Sequence, residues 1–407
     1  MSDKPLPTDL ELTALDPTFR EHPHDRLDRL RTEDPVYNMD AALGRLILTR
    51  FEDMRAVLAD RSLSKDPRKA PDTPHRRAFM GDMPQAFEPS MLNLDDPDHK
   101  RLRGLVSQAF NQRSVDAWRP RIRAIAEALL DALADRGSFD VIAELAAPLP
   151  ITVIAEMLGV DPGDMRQFKR WSDAQAQIFN PVRSPEQTME LRAAGQGLND
   201  YFARAIDARR GRCGGDLISM LVAAEEAGDR LSAREIVVTC NLLLIAGNLT
   251  TTDLIGNSVL ALLRHPDQLA KLSVHPELMP NAIEEMLRYD PPVVQTRRIA
   301  LEPREIAGRK VRAGQEMICS LLAAGHDPAR HSNPHGFDIE RADTTHLAFG
   351  GGAHYCLGAP LARAEAQIAI AALFERFPRL RLDPQHVVEH KRAPVFNGLE
   401  ALWVHAA

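Results

Sequence analysis

Apolar residues recur along most of this chain at the three-and-four spacing of an amphipathic helix. A clear example ends before Gly137 and comprises Ile122, Ile125, Ala126, Leu129, Leu130 and Leu133. Strand-like alternation is short and local, near residues 36–50, 293–320 and 380–405. Because strands and helices do not alternate regularly, a doubly wound sheet is excluded, and the pattern predicts a mainly α fold with small β regions.

One predicted helix is unusually long and lies near the middle of the sequence. Ser232 and Glu235 form a capping box at its start, and no proline follows until Pro266. About 32 helical residues would span roughly 48 Å. The helix is apolar nearly all round from Leu242 to Ala246, which predicts a central, buried position.

The middle of this helix breaks helical rules in the run Ala246-Gly-Asn-Leu-Thr-Thr-Thr-Asp253. Threonine hydroxyls compete for backbone carbonyls and can bend a helix, and glycine weakens it. The run is either a tolerated irregularity or a position where function overrides local preference.

Composition narrows the class of protein. The chain has 407 residues, 44% of them hydrophobic and 26% charged, which is typical of a soluble globular protein. A net charge of −7 gives no electrostatic case for nucleic acid. The first residues lack the pattern of a signal peptide, and apolar runs fall far short of the roughly 18 residues of a membrane span. Four scattered cysteines fit a reducing compartment. We expect one cytoplasmic domain over residues 1–407, with no membrane or nucleic-acid partner.

A glycine-rich loop with a cysteine stands directly before a predicted helix, Ala359 to Phe377. Cys356 therefore precedes a helix N-terminus, where free backbone N–H groups and the helix dipole favour a thiolate. Glycines would let the backbone approach a flat ligand closely. A thiolate here would be a metal ligand or a nucleophile, and the alternative is a buried structural cysteine.

The loop carries the pattern F-x-x-G-x-H-x-C-x-G at Phe349, Gly352, His354, Cys356 and Gly358. Five fixed positions would arise by chance in about one chain of this length in 10⁴. The pattern resembles the haem-binding loop of the cytochrome P-450 family, in particular its soluble bacterial members. The resemblance implies a P-450-type haem domain with haem b, whose iron takes Cys356 as its axial thiolate. Electron donation from that thiolate favours O–O cleavage.

Two further segments carry the resemblance. Glu285 and Arg288 match the family's E-x-x-R, which implies a buried structural pair, whereas helical periodicity alone places them on a solvated surface. The long helix is similar to the family's oxygen-binding helix at Ala246, Gly247 and Thr250.

The resemblance implies that Thr250 hydrogen-bonds the bound oxygen and holds a water, while Ala246 and Gly247 leave a groove for O₂. Leu249 stands where the family usually has an acid. Leucine cannot relay a proton, so we expect slower or less coupled turnover than in a relative that has the acid, or a preference for hydrogen peroxide. Asn248 or Asp253 could organise a replacement water chain.

Cations or donors must hold the haem propionates. His99 and Arg103 are four residues apart on a predicted helix, with Asp96 as its N-cap and Pro97 at its first position. A basic surface helix is the alternative for this segment. His354 and Arg298 complete the contacts that the resemblance implies, although the adjacent Arg297 could replace Arg298.

The partners are expected to be O₂, a hydrophobic small molecule and a separate ferredoxin or flavodoxin. Lys100, Arg101 and Arg113 could steer such an acidic donor, or could be an ordinary solvated face. By family position the substrate pocket, whose residues could equally be core, would draw on the loop around 80–91 and on Phe179, Leu243, Leu244, Leu249, Val293, Val294 and Phe396.

The resemblance thus predicts a monomeric haem-thiolate monooxygenase that inserts one oxygen atom by hydroxylation or epoxidation. Alternatives are a peroxide-driven peroxygenase and a haem protein that binds ligands without catalysis, against which the retained Thr250 argues. A zinc site is a further alternative, because residues 326–356 hold ligand side chains whose spacing matches no zinc signature: His326, His331, His335, His346, His354 and Cys356.

Overall fold

The computed structural model describes residues 6–7, 9–40, 44–72, 89–180, 182–228 and 231–406. Its α-helices are α1 (Pro17–Glu21), α2 (Pro23–Glu33), α3 (Phe51–Ala59), α4 (Asp98–Ser107), α5 (Gln112–Asp131), α6 (Pro148–Leu158), α7 (Met165–Ala176), α8 (Pro185–Asp207), α9 (Leu217–Glu226), α10 (Ala233–Arg264), α11 (Pro266–Val274), α12 (Met279–Tyr289), α13 (Leu321–Gly325) and α14 (Ala359–Arg376).

Short strands lie between these helices. They are β1 (Val36–Asp40), β2 (Arg45–Leu48), β3 (Ser138–Asp140), β4 (Gln295–Ile299), β5 (Arg304–Ile306), β6 (Arg309–Val311), β7 (Glu316–Ser320), β8 (Leu380–Leu382), β9 (Glu389–His390), β10 (Leu399–Ala401) and β11 (Trp403–Ala406). Except for β3, they fall in the regions that the alternation predicts. The mainly α fold class with small β regions is confirmed.

The chain divides into two compact units, each built from three stretches of sequence. Unit one comprises Met1–Asp96, Glu284–Cys356 and Lys391–Asn397, and unit two comprises Pro97–Ile283, Leu357–His390 and Gly398–Ala407. The expectation of a single domain over 1–407 stays a prediction.

Unit one is organised by a four-stranded sheet in the order β1-β2-β7-β4. The central pair β2 and β7 is parallel, with Ile47 opposite Ile318, and the outer pairs are antiparallel. β5 and β6 form a separate antiparallel pair. Apolar side chains of α3 pack with those of the sheet to form one core cluster, which includes Phe51, Met54, Leu48 and Met317.

Unit two is built around α10. This helix packs against α6, α8 and α14, while β3, β11 and β8 form a three-stranded antiparallel sheet and β9 pairs with β10. Both predicted ends of α10 are confirmed, because Ser232 Oγ accepts from the Glu235 backbone N–H at 3.2 Å and the helix stops before Pro266. Within the predicted apolar run of α10, Leu243 and Leu244 are buried and Ala246 is exposed.

Two other predicted helix boundaries differ in the structure. α5 ends at Asp131, well before Gly137, because short-range bonds such as Leu133 N–H to the Leu130 carbonyl turn the chain out of the helix. α4 begins at Asp98 with Pro97 in the N-cap position and no side-chain capping bond, so the expected N-cap at Asp96 is wrong.

Candidate functional site

The cysteine loop of unit one is a compact turn. Residues Gly352–His354 form one 3₁₀ turn, and the Cys356 N–H donates to the Phe349 carbonyl at 2.9 Å. Gly350 and Gly352 have positive φ angles of 70° and 66°, a conformation that suits glycine. The turn leaves Cys356 half-buried, and helix α14 begins three residues later in the chain, as predicted.

The loop packs directly on the end of α3. A Cβ on Gly352 would lie 2.2 Å from the Leu58 carbonyl oxygen, so both its φ angle and this close approach require glycine. Arg298 is buried and donates to the Leu58 carbonyl at 3.3 Å and to the Gly351 carbonyl at 3.2 Å. By contrast, Arg297 is half-buried and pairs with Glu316 at 3.1 Å. Arg298 is therefore the arginine that supports the cysteine loop.

A second buried cation, which sequence reasoning missed, lies beside Arg298. Lys65 is 7% exposed, and its Nζ donates to Thr296 Oγ1 at 3.2 Å. Burial, together with the charges of Arg298 and Arg297, lowers the pKa of Lys65 to about 7. Burial also lowers the pKa of Arg298. Buried like charges are costly without a counter-charge, so this place suits an anionic group such as a carboxylate.

The E-x-x-R pair lies in the interior of unit one. Glu285 and Arg288 both have fully buried side chains, and Arg288 Nε donates to Glu285 Oε2 at 2.6 Å. Arg341, which the sequence analysis missed, donates to the same oxygen at 2.9 Å. The remaining Arg288 donors bond carbonyls of Gly325, Pro334 and Gly336. The surface position that periodicity suggests is therefore wrong, because partners distant in sequence donate to Glu285 and accept from Arg288.

Helix α4 in unit two carries the first pair of predicted propionate contacts. His99 is buried and Arg103, one turn later, is half-buried on the same helix.

The predicted basic patch lies on the same helix and just after it. Arg101 donates to Glu235 at 2.5 Å and to Asp98 at 3.2 Å. Arg101 is thus neutralised by acids, which corrects its place in the basic patch, whereas Lys100 and Arg113 are exposed.

The middle of α10 presents a small, open stretch of helix surface. The Thr250 hydroxyl donates to the Ala246 carbonyl at 2.9 Å, and Ala246 is exposed. A Cβ on Gly247 would make an ordinary contact at 3.5 Å with Ile154, so packing does not demand glycine there. Leu249 is buried. Because leucine has no ionisable group, there is no acid at the position where the family resemblance implies one. The open stretch is suited to a small ligand beside a hydroxyl.

A buried acid lies next to this stretch. Glu365 on α14 is 2% exposed and accepts a hydrogen bond from the hydroxyl of Thr251. Burial raises the pKa of Glu365 to about 8, so its carboxyl is protonated at neutral pH. Sequence reasoning missed this residue, although an acid four residues after Leu361 and four before Ala369 stands on an otherwise apolar helix face.

Known proteins are similar to this chain over nearly its whole length. The family described as Cytochrome P450 matches residues 5–397. The chain belongs to the cytochrome P450 family. Cytochrome P450 monooxygenase PikC of Streptomyces venezuelae is 41% identical over 404 residues, which cover 97% of this chain and 94% of that protein. 6-Deoxyerythronolide B hydroxylase of Saccharopolyspora erythraea is 38% identical, with 88% and 89% covered.

A solved structure gives the same fold. The crystal structure of P450BioI in complex with hexadec-9Z-enoic acid ligated acyl carrier protein has a TM-score of 0.86 and 37% identity, with 95% of this chain and 99% of that chain covered. This cytochrome P450 is a monooxygenase, and its cofactor is haem b. The half-buried Cys356 and the buried cations Lys65 and Arg298 fit an iron porphyrin with anionic propionates.

The remaining predicted pocket residues are distributed over both units. In unit one, Val293 and Phe396 form an isolated β-bridge, and the Val294 N–H donates to the Val395 carbonyl at 3.0 Å. In unit two, Leu243 and Leu244 are buried, whereas Phe179 is 41% exposed. Residues 80–88 of the predicted pocket loop lie outside the described residues.

Helix α10 is long and apolar enough, by length and composition, to cross a membrane, and half of its most apolar window is buried. The core helix of a water-soluble protein meets the same criterion.

Proposed function

We propose that this cytochrome P450 hydroxylates or epoxidises a hydrophobic small molecule, with Cys356 as the axial thiolate of the haem iron. The observation that carries the proposal is the cysteine loop, in which glycines allow close backbone approach and the Cys356 N–H is committed to Phe349. When bound, the haem supplies the centre at which O₂ is reduced and one oxygen atom is inserted.

The chain's own cations hold the propionates in this proposal. Arg298, which contacts the cysteine loop, and Lys65, which lies next to Arg298, are both buried, and a carboxylate would compensate both charges. His354 in the loop and His99 and Arg103 on α4 are the further donors that we propose. Charge-assisted hydrogen bonds of this kind are stronger than neutral ones and orient a planar carboxylate well.

Proton handling falls to residues of α10 and α14. The Thr250 hydroxyl can turn from the Ala246 carbonyl to hold a water, while Ala246 and Gly247 keep that stretch of helix small. Leu249 has no ionisable group and cannot take part in proton transfer. We infer that the protonated carboxyl of Glu365 on α14, which is hydrogen-bonded to Thr251 next to Thr250, supplies protons to this stretch of α10. A carboxyl with a pKa near the working pH is well matched to proton transfer.

The substrate class and the electron donor are inferred from the pocket residues and from the charged surface of α4. The predicted pocket residues are apolar, which favours a hydrophobic substrate. This fits one relative named as a hydroxylase of 6-deoxyerythronolide B and another solved in complex with hexadec-9Z-enoic acid ligated acyl carrier protein. Electrons would come from a separate ferredoxin or flavodoxin, and exposed Lys100 and Arg113 would attract such an acidic protein. We expect the protein to act as a cytoplasmic monomer.

The test of Cys356 is the absorption spectrum of the dithionite-reduced protein with carbon monoxide. A strongly red-shifted Soret band is expected for the wild type and for a Cys213→Ser control, because Cys213 is exposed and outside the loop. Cys356→Ser should bind haem with a Soret band at the ordinary position. A red-shifted band that survives Cys356→Ser would refute the ligand assignment.

A peroxide-driven activity is the second candidate, favoured by Leu249 at the acid position. Product formation with hydrogen peroxide and no electron donor, faster than with donor and O₂, would establish it. Product formed only with a donor protein and O₂ supports the monooxygenase. A haem-loaded protein that forms no product by either route, over a broad panel of hydrophobic compounds, would favour non-catalytic ligand binding.

A further inference from the structure

Three histidines converge in unit one, apart from the cysteine loop. His24 lies on α2, His326 follows α13, and His335 lies nine residues further on. One ligand atom from each ring lies within 4.8 Å of the others. The ring centroids of His24 and His326 are 3.8 Å apart, and those of His326 and His335 are 5.1 Å apart.

The outer nitrogens of two rings are committed to acceptors. His326 Nε2 lies 2.8 Å from the Tyr289 carbonyl oxygen, and His335 Nε2 lies 2.8 Å from Asp28 Oδ2. Arg31 bonds the other oxygen of Asp28, which fixes this carboxylate. A carbonyl and a carboxylate can only accept, so each Nε2 carries a proton and donates it.

The other ring nitrogen, Nδ1, of His326 and of His335 therefore carries a lone pair, and these two lone pairs face one another. His326 Nδ1 and His335 Nδ1 are 3.1 Å apart. A hydrogen bond between the two neutral rings would need a proton on one Nδ1. The Nε2 of that ring would then direct a lone pair at the oxygen it contacts, which can only accept. The third ring has a similar unsatisfied atom. His24 Nδ1 is buried and has no hydrogen-bond partner among the described residues.

Burial favours the neutral form of His24 and His326. It lowers the pKa of His24 to about 4 and that of His326 well below its ordinary value. Neutral imidazoles are the form that binds metal ions.

We propose that His24, His326 and His335 bind a divalent zinc-type ion, at a site separate from the haem iron. Tetrahedral zinc with Zn–N bonds of about 2.05 Å holds its ligand nitrogens about 3.3 Å apart, close to the 3.1 Å between His326 and His335. Asp28 and the Tyr289 carbonyl orient the ligand rings from outside, as carboxylates and carbonyls do at zinc sites. Small movements of the His24 ring complete the set, and water takes the fourth position.

The site accounts for two of the histidines in the region 326–356, whose spacing matches no zinc signature. The third ligand comes from the other end of the sequence and only the fold brings it near. Because the ion would join α2 to the segment after α13, binding should stabilise the folded protein by mass action.

The test uses the haem-loaded protein after treatment with a chelator. Zinc binding is measured by isothermal titration calorimetry, and retained zinc by elemental analysis after desalting. We expect one zinc per wild-type chain. His335→Ala should abolish that equivalent, and Asp28→Asn should weaken the affinity by about 10–100-fold. His275→Ala is the matched control, because His275 is also an exposed histidine beside an acid, Glu277, at 3.0 Å.

Folding is monitored independently through haem content and the reduced carbon monoxide spectrum. The side chain of His335 is 46% exposed, so its replacement should leave both unchanged. Zinc should raise the melting temperature of the wild type and of His275→Ala but not that of His335→Ala. Failure of the wild type to bind zinc, or equal binding by His335→Ala, would overturn the proposal.

Discussion

Replacing Glu365 with glutamine isolates the effect of one buried ionisable group. The amide keeps the size of the side chain and can still accept from the Thr251 hydroxyl, but it cannot ionise. In the wild type, burial raises the pKa of Glu365 from its ordinary 4.5 to about 8. The unfolded chain therefore releases a proton that the folded chain retains over that range.

The sign and size of the effect follow from linkage. A folded pKa above the unfolded value gives stability that is complete below about pH 4.5 and declines as pH rises toward 8. Each pH unit in this window costs about 1.4 kcal/mol. Between pH 5.5 and 7.5 the wild type should lose about 2–3 kcal/mol relative to Glu365→Gln.

Urea unfolding of the haem-loaded proteins at pH 5.5, 6.5 and 7.5, followed by far-ultraviolet circular dichroism, measures this difference. Glu375→Gln, at the exposed end of the same helix, is the control that shows whether loss of any carboxylate from this helix gives the same pH dependence. A difference between Glu365→Gln and the wild type that stays constant across the three pH values would refute the reasoning. It would mean that Glu365 ionises in the folded protein much as it does in the unfolded chain.

The remaining predictions concern the buried ion pair, the acid position and the electron donor. Glu285→Gln leaves Arg288 buried without its carboxylate and should destabilise the protein by about 3–5 kcal/mol, measured as the shift in urea unfolding at pH 7. Leu249→Asp should raise the yield of product per reducing equivalent consumed, because it restores an acid beside Thr250. The double variant of Lys100→Glu and Arg113→Glu should slow reduction by an acidic ferredoxin and weaken its dependence on salt.

Each of these predictions has a matched control. Glu284→Gln changes a partly exposed neighbour of Glu285 that contacts His346, and an equal loss of stability in both variants would contradict the special role of the buried pair. Leu249→Asn adds polarity without an acid, and the same coupling in both Leu249 variants would remove the proton argument. Lys310→Glu reverses an exposed charge elsewhere, and equal slowing by that change would mean that no local patch steers the donor.

The sequence by itself determined the features that depend on neighbouring residues. The ends of α10 follow from the capping box of Ser232 with Glu235 and from the proline after Arg264, and each acts within one helical turn. The cysteine loop is equally local, because its glycines, turn and following helix occupy one short stretch. Such short-range chemistry can be recognised without knowing the rest of the fold.

Only the tertiary structure decided which polar groups are buried and what they meet. Periodicity places Glu285 on the surface, yet Arg341, more than fifty residues away, donates to it in the interior. Glu365 lies on the apolar face of α14, and its hydrogen bond with Thr251 depends on the packing of α14 against α10. His24 and His335 stand at opposite ends of the sequence. Burial and charge compensation depend on contacts between distant segments, and local sequence patterns do not encode those contacts.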